Sequence, residues 1–100
     1  MLKLSIKTEQ LIKAVFPLEH QGEARDLIEI ECGRNIPSCE NATAKGIERI
    51  RFSVLKISEG DLDKLYDAID LAQIDWRDVL IKAGFDNDTK EHERWYRTVF

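Results

Sequence analysis

The sequence predicts an all-α fold, a compact bundle of five or six short helices. Apolar residues recur at spacings of three and four along at least four segments, as in helices that bury one face. Candidate capping residues stand at several segment boundaries. The chain has 100 residues, which is enough for one hydrophobic core. We therefore expect a single small helical domain over residues 1–100.

The first segment is ambiguous between a short strand and a helix. Leu2, Leu4 and Ile6 alternate with polar residues, as in a strand. In contrast, Thr8–Phe16 has apolar residues at helical spacing and favours a helix. Pro17 ends that helix, because the residue before a proline avoids the helical conformation.

A second helix is predicted over Leu18–Cys32, whose apolar residues form one wide face. The end of this segment also alternates apolar and acidic residues, as a strand would, but its upstream composition favours a helix. Gly33 is placed to end the helix in the left-handed conformation. Residues 34–42, with proline, serine and two asparagines, are predicted to form a loop.

A third helix is predicted over Thr43–Ser58. Its apolar face is made by Ile47, Ile50, Val54 and Ile57. A strand is the alternative over Ile50–Val54, where apolar residues alternate, but Leu55 breaks the alternation and favours the helix. Phe52 lies off the apolar face and has to meet either a second neighbouring element or the solvent.

Three further helices are predicted in the second half of the chain. Each follows an aspartate that can accept a hydrogen bond from an early backbone N–H, namely Asp61, Asp75 and Asp88. The helix after Asp75 is expected to bury Trp76 in the core and to end at Gly84. The last helix carries His92, Trp95, Tyr96 and Val99 on one face.

Four short segments between Cys32 and Phe85 resemble a family of small bacterial proteins that has no established activity. They read CGxNIP, ERIRF, DWRD and AGF. The resemblance covers about half of the chain, and the part from DWRD to AGF is the most specific. It implies a free-standing small bacterial protein and assigns no functional residue.

The net charge and the hydropathy pattern indicate which cellular compartment and which classes of partner to expect. With 15 basic and 19 acidic residues, the net charge is −4, which argues against a general binder of nucleic acid or of anionic membranes. The sequence shows neither a signal segment nor an apolar run long enough to span a bilayer. We therefore expect a cytoplasmic protein with no membrane partner and with two reduced thiols.

Four residues could hold zinc or support thiol chemistry: Cys32, Cys39, His20 and His92. The cysteines are further apart than in common zinc knuckles, and the histidines are far from each other in sequence. Cys39 has no recognisable base motif or oxyanion loop beside it. We therefore expect no metal and no cofactor. The alternative is a cysteine-based metal or redox protein, or a small enzyme.

Charge is divided unevenly between the third and fourth predicted helices. Thr43–Ser58 carries four basic residues and one glutamate, whereas residues 59–75 carry six acids and one lysine. Neighbouring helices of opposite charge are expected to attract each other along their edges. One alternative is a bipolar surface for a charged protein partner. Another is a regulatory nucleic-acid binder that uses the basic helix, although four cations supply few phosphate contacts.

Together these patterns favour a non-enzymatic protein-interaction module. Its partner is expected to be another protein or a second copy of the chain, and no nucleic acid is expected. Aromatic and arginine side chains contribute most of the binding energy at protein interfaces. The residues that could form the interaction surface are therefore Arg49, Arg51, Phe52, Trp95 and Tyr96. The alternative role of Trp95 and Tyr96 is to dock the last helix on its own bundle.

Overall fold

The chain folds into six α-helices in a computed structural model that describes residues 2–100. The helices are α1 (Ile6–Val15), α2 (Leu18–Glu31), α3 (Ala44–Ser58), α4 (Leu62–Ile74), α5 (Trp76–Ala83) and α6 (Glu91–Val99). No strand is present in the described residues, so the all-α prediction is confirmed and the strand alternatives are not realised. Within the same residues, no helix is long and apolar enough to cross a membrane.

The central helix of the bundle is α3, which contacts α1, α4, α5 and α6. Every residue from Ile50 to Leu55 is buried, so this middle part of α3 is covered on all sides rather than along one face. Phe52 is fully buried because α6 packs over the side of α3 that carries it. Its second neighbour is therefore α6. Complete coverage also places the polar side chains of Arg51 and Ser53 in the interior.

Side-chain caps fix where most of the helices begin. Thr43 accepts a hydrogen bond from the backbone N–H of the third residue beyond it, as do Ser5 and Asp61. Asp75 accepts one from the N–H of the second residue beyond it. The predicted caps at Asp61 and Asp75 are thus confirmed. Asp88 instead closes the turn before α6, accepting from the backbone N–H of Lys90 at 2.8 Å.

The helix ends follow the prediction at Gly84 and depart from it at Gly33. Gly84 has φ 80° and ends α5 in the left-handed conformation. Gly33 does not adopt a positive φ, and α2 ends at Glu31. The Asn35 side chain makes the closing bonds there. Its amide oxygen accepts from the N–H of Gly33, and its amide nitrogen donates to the carbonyl of Ile30, each at 3.1 Å.

Candidate interaction site

The basic side chains of α3 bond to the ends of neighbouring segments rather than to acidic helices. Arg51 is only 2% exposed, and its Nε donates to the carbonyl oxygen of Cys32 at 2.7 Å. Its two other nitrogens donate to the carbonyl oxygens of Lys3 and Leu2, at 3.0 and 2.7 Å. Because Cys32 is the C-terminal cap of α2, Arg51 places a positive charge at the negative end of that helix.

The C-terminal end of α5 is held by two more cations from α3. Lys56 donates to the carbonyl of Ala83 at 2.7 Å and lies 4.9 Å from the centroid of the Phe85 ring. Arg49 donates to the carbonyl of Phe85. Of the four α3 cations, Lys45 alone is exposed. Basic residues of α3 thus neutralise helix ends inside the fold.

The opposite charges of α3 and α4 are expected to attract along the helix edges, but the structure does not pair them directly. Among the described residues, no ion pair joins these two helices. The acids Asp63, Asp67 and Asp70 of α4 are exposed to solvent. The difference arises because α3 is surrounded, so its cations reach backbone carbonyls of α2, α5 and the N-terminal segment instead.

The five residues predicted as an interaction surface do not form an exposed surface. Arg51 and Phe52 are buried, and Arg49 is largely covered. Trp95 and Tyr96 are half-buried, and their ring centroids lie 6.3 and 6.0 Å from that of Phe52. The aromatic residues do come together, but they form the contact between α3 and α6, as in the self-docking alternative.

His92 lies in the same contact and is 4% exposed. Its ring meets Phe52 and Phe85 edge-on, with centroid distances of 5.3 and 6.4 Å. Two buried nitrogen atoms in this region, Nδ1 of His92 and Nε of Arg49, have no hydrogen-bond partner among residues 2–100. Burial lowers the pKa of His92, so its imidazole is neutral at ordinary pH.

The cysteines are buried and free, and the described residues contain no cluster of three potential metal ligands. Burial raises the pKa of Cys32 to about 12 and also raises the pKa of Cys39. Both are therefore protonated thiols at neutral pH, whereas a nucleophile or a zinc ligand needs the thiolate. His20 lies on α2 and is partly exposed. It belongs to no cluster of potential metal ligands among the described residues.

Two adjoining depressions beside Trp76 form a groove that the sequence analysis did not find. One, of about 370 Å³, lies between the loop at 38–42, α3 and α5, and its lining includes Cys39, Ile50 and Leu80. The other, of about 350 Å³, is lined in part by Ile74. Trp76 and Ser38 line both depressions. We refer to this feature as the Trp76 groove.

Local sequence explains why the groove is open. Asp75 separates α4 from α5 and caps α5. Its carboxylate also pairs with the Nε of Arg77 at 3.1 Å. The break leaves Ile74, the last residue of α4, 79% exposed. It also leaves Trp76 half-buried, where the sequence analysis expected a core residue. One feature of the sequence could have indicated this exposed apolar site. An isoleucine directly before a helix-capping aspartate lies at the junction of two helices, where neither helix buries it.

The opposite wall of the groove is the loop between α2 and α3. Successive turns hold this loop, with backbone bonds from Ile36 to Gly33, from Cys39 to Ile36 and from Ala42 to Cys39. Arg34 closes it by donating to the carbonyl of Ala42 at 3.0 Å. The wall is thus held by hydrogen bonds of its own and does not depend on a bound molecule.

Comparison of the chain with protein-family models, with curated proteins and with solved structures gives no match. The resemblance carried by the CGxNIP and DWRD segments therefore has no counterpart among those family models. What the protein does has to be inferred from its own side chains.

Proposed function

We propose that the chain is a protein-interaction module that binds a segment of another protein in the Trp76 groove. The observation that supports this most directly is the half-buried Trp76 between two depressions, with the exposed Ile74 beside it. Tryptophan, with tyrosine and arginine, is enriched among the side chains that dominate binding energy at protein interfaces.

The lining of the groove indicates which chemistry it accepts. Cys39, Ile50 and Leu80 give one depression apolar walls, and Asn41 and Arg49 line it as polar groups. An apolar pocket with a few polar groups is typical of a site that takes one hydrophobic side chain and orients it with hydrogen bonds. The proposed occupant is therefore a partner segment that inserts an apolar side chain beside Trp76.

Photo-cross-linking in the cell of origin tests this proposal. A photoreactive residue placed at Asn41, on the groove, should give an adduct with a second protein. Ile74→Glu should abolish the adduct, because it places a charge against the apolar groove. Leu18→Glu is the matched control, since Leu18 is 81% exposed and lies on α2.

Each result of this experiment decides the proposal. An adduct that Ile74→Glu removes and Leu18→Glu retains supports it. An adduct that both variants retain, or the absence of any adduct, contradicts it. An adduct of twice the mass of the chain would show that the occupant is a second copy rather than another protein.

A further inference from the structure

The contact between α6 and the rest of the bundle depends on a buried histidine. His92 is enclosed by Phe52 and Phe85, and its Nδ1 has no hydrogen-bond partner in the described part of the chain. A protonated imidazole has two N–H donors, so in this site one of them would be buried without an acceptor. Burying a charge without pairing it costs several kcal/mol, and a group in that position stays neutral or moves to solvent.

The charged groups around His92 do not offset the cost of burying a protonated imidazole. Glu93 on its own helix and Glu48 on α3 favour the protonated form, whereas Arg49 on α3 and Lys7 on α1 oppose it. The loss of hydration is the largest influence, and the pKa of His92 is lowered despite the two acids. The site therefore selects neutral His92.

α6 lies at the edge of the bundle and contacts fewer helices than α3 does. It contacts α1 and α3, whereas α3 makes its largest contacts with α4 and α5. The ion pairs of Arg94 run to Glu91 and Asp88, within α6 and the turn before it. One side-chain hydrogen bond reaches another helix, from the Tyr96 hydroxyl to Gln10. Aromatic packing thus holds α6 in place.

We propose that α6 is a pH-sensitive latch, which protonation of His92 releases from α3. Release uncovers Phe52 and frees Trp95 and Tyr96, the aromatic residues that the sequence marks as an interaction surface. This surface is distinct from the Trp76 groove, and the latch does not depend on the proposed function of that groove. In the released state His92 is hydrated and can carry its proton.

The direction of the pH dependence follows from the two states of His92. The docked state lowers the pKa of His92 below its ordinary value of about 6.5, and the released state restores it. Docking of α6 is therefore fully stable above about pH 6.5 and weakens as the pH falls below that value.

Two single-tryptophan variants separate release of α6 from unfolding of the whole chain. Trp76→Phe leaves Trp95 as the reporter of α6, and Trp95→Phe leaves Trp76 as the reporter of α5. Between about pH 7.5 and about pH 5, we expect the emission of Trp95 to shift to longer wavelength while that of Trp76 stays constant. His92→Phe in the Trp76→Phe chain should remove the shift, because phenylalanine packs but does not titrate.

His92→Gln serves as a second non-titrating variant if phenylalanine does not fit, and His20→Gln is the control that should keep the shift. A shift of both tryptophans at the same midpoint would mean global acid unfolding and would overturn the proposal. So would a midpoint in His92→Phe and His92→Gln equal to that of the parent chain, or an emission of Trp95 that does not change over this range.

Discussion

Arg51 shows how one residue can connect three parts of the fold. It extends from the central helix and donates to carbonyl oxygens of Cys32, at the end of α2, and of Leu2 and Lys3. No carboxylate of the described residues lies within ion-pair distance of it. A planar guanidinium with several N–H donors can satisfy these acceptors together, which an ammonium cannot do from one position. Arg51 is thus a structural residue.

Replacing Arg51 should therefore destabilise the protein far more than replacing another cation of the same helix. We expect Arg51→Ala to lower the free energy of unfolding by about 3 kcal/mol, because it leaves buried acceptors without donors. Arg51→Lys should recover only part of this loss. Lys45→Ala is the control and should change the free energy by less than about 0.5 kcal/mol. Urea denaturation measures all three, and equal effects of Arg51→Ala and Lys45→Ala would contradict the assignment.

The two thiols give a second prediction at this scale. Cys32 and Cys39 are buried, and burial raises the pKa of Cys32 to about 12. We expect neither to react with a disulfide reagent such as DTNB in the native protein, and both to react after unfolding. Elemental analysis should find no stoichiometric zinc. One thiol equivalent released from the native protein, or one zinc per chain lost in a Cys32→Ser/Cys39→Ser variant, would refute this prediction.

Phe52, Arg51 and Trp76 show what local sequence patterns can and cannot predict for single residues. The spacing of Phe52 in its helix left two outcomes, a second neighbouring element or the solvent, because periodicity reports only which sides of a helix are apolar. The structure places α6 there. Periodicity could not show that Arg51 is buried, since its acceptors are backbone carbonyls, which every residue has. Trp76 was expected in the core because its size favours burial, but the break at Asp75 leaves it half-buried. The isoleucine before Asp75 is a local signal for the exposed edge of the groove, but its walls come from segments distant in sequence, which local patterns do not reveal.

Among the helices, boundaries were predictable wherever a side chain makes the cap. Asp61 and Asp75 cap α4 and α5 as expected, because an aspartate before an apolar run supplies the missing acceptor. The end of α2 was not predictable from Gly33, since the closing bonds come from Asn35, which lies beyond the helix. Between α3 and α4, the chain turns through Glu59 and Gly60, with φ values of 51° and 78°.

Two glycines provide opposite outcomes for the same substitution. Gly60→Ala should lower the free energy of unfolding by at least about 2 kcal/mol, because its φ is left-handed. A Cβ there would also lie 2.3 Å from the carbonyl oxygen of Val15, at the end of α1. Gly22→Ala should raise the free energy by about 1 kcal/mol, because Gly22 is exposed in α2 with nothing within 4 Å of a new Cβ. Thermal unfolding of both variants tests this. A Gly60→Ala variant that is no less stable than the parent would show that the turn is not constrained as described, and a destabilised Gly22→Ala variant would contradict the open site on α2.

Over the whole molecule, charge is sorted between the inside and the outside. Three of the four cations of α3 bond to backbone carbonyls, whereas the exposed faces of α2 and α4 are rich in acids. These two helices contact each other, and the Tyr66 hydroxyl lies 3.4 Å from the carboxylate of Glu23. The negative potential there raises the pKa of Tyr66, chiefly through Glu23 and also through Asp63. A polyanion that approached the protein would thus meet the acids of α2 and α4, whereas three of the four cations of α3 are engaged in the fold.

This distribution predicts that the protein does not bind nucleic acid at physiological salt. Non-specific affinity comes from phosphate contacts, and Lys45 is the one exposed cation of α3. We expect no electrophoretic shift of duplex DNA or of RNA at about 150 mM salt. Lys45→Glu is the variant that tests the basic surface without affecting the fold. Replacing Arg49 or Arg51 would instead remove hydrogen bonds that stabilise the fold. A shift at this salt that Lys45→Glu abolishes, in a protein whose unfolding midpoint is unchanged, would restore the basic helix as a nucleic-acid surface.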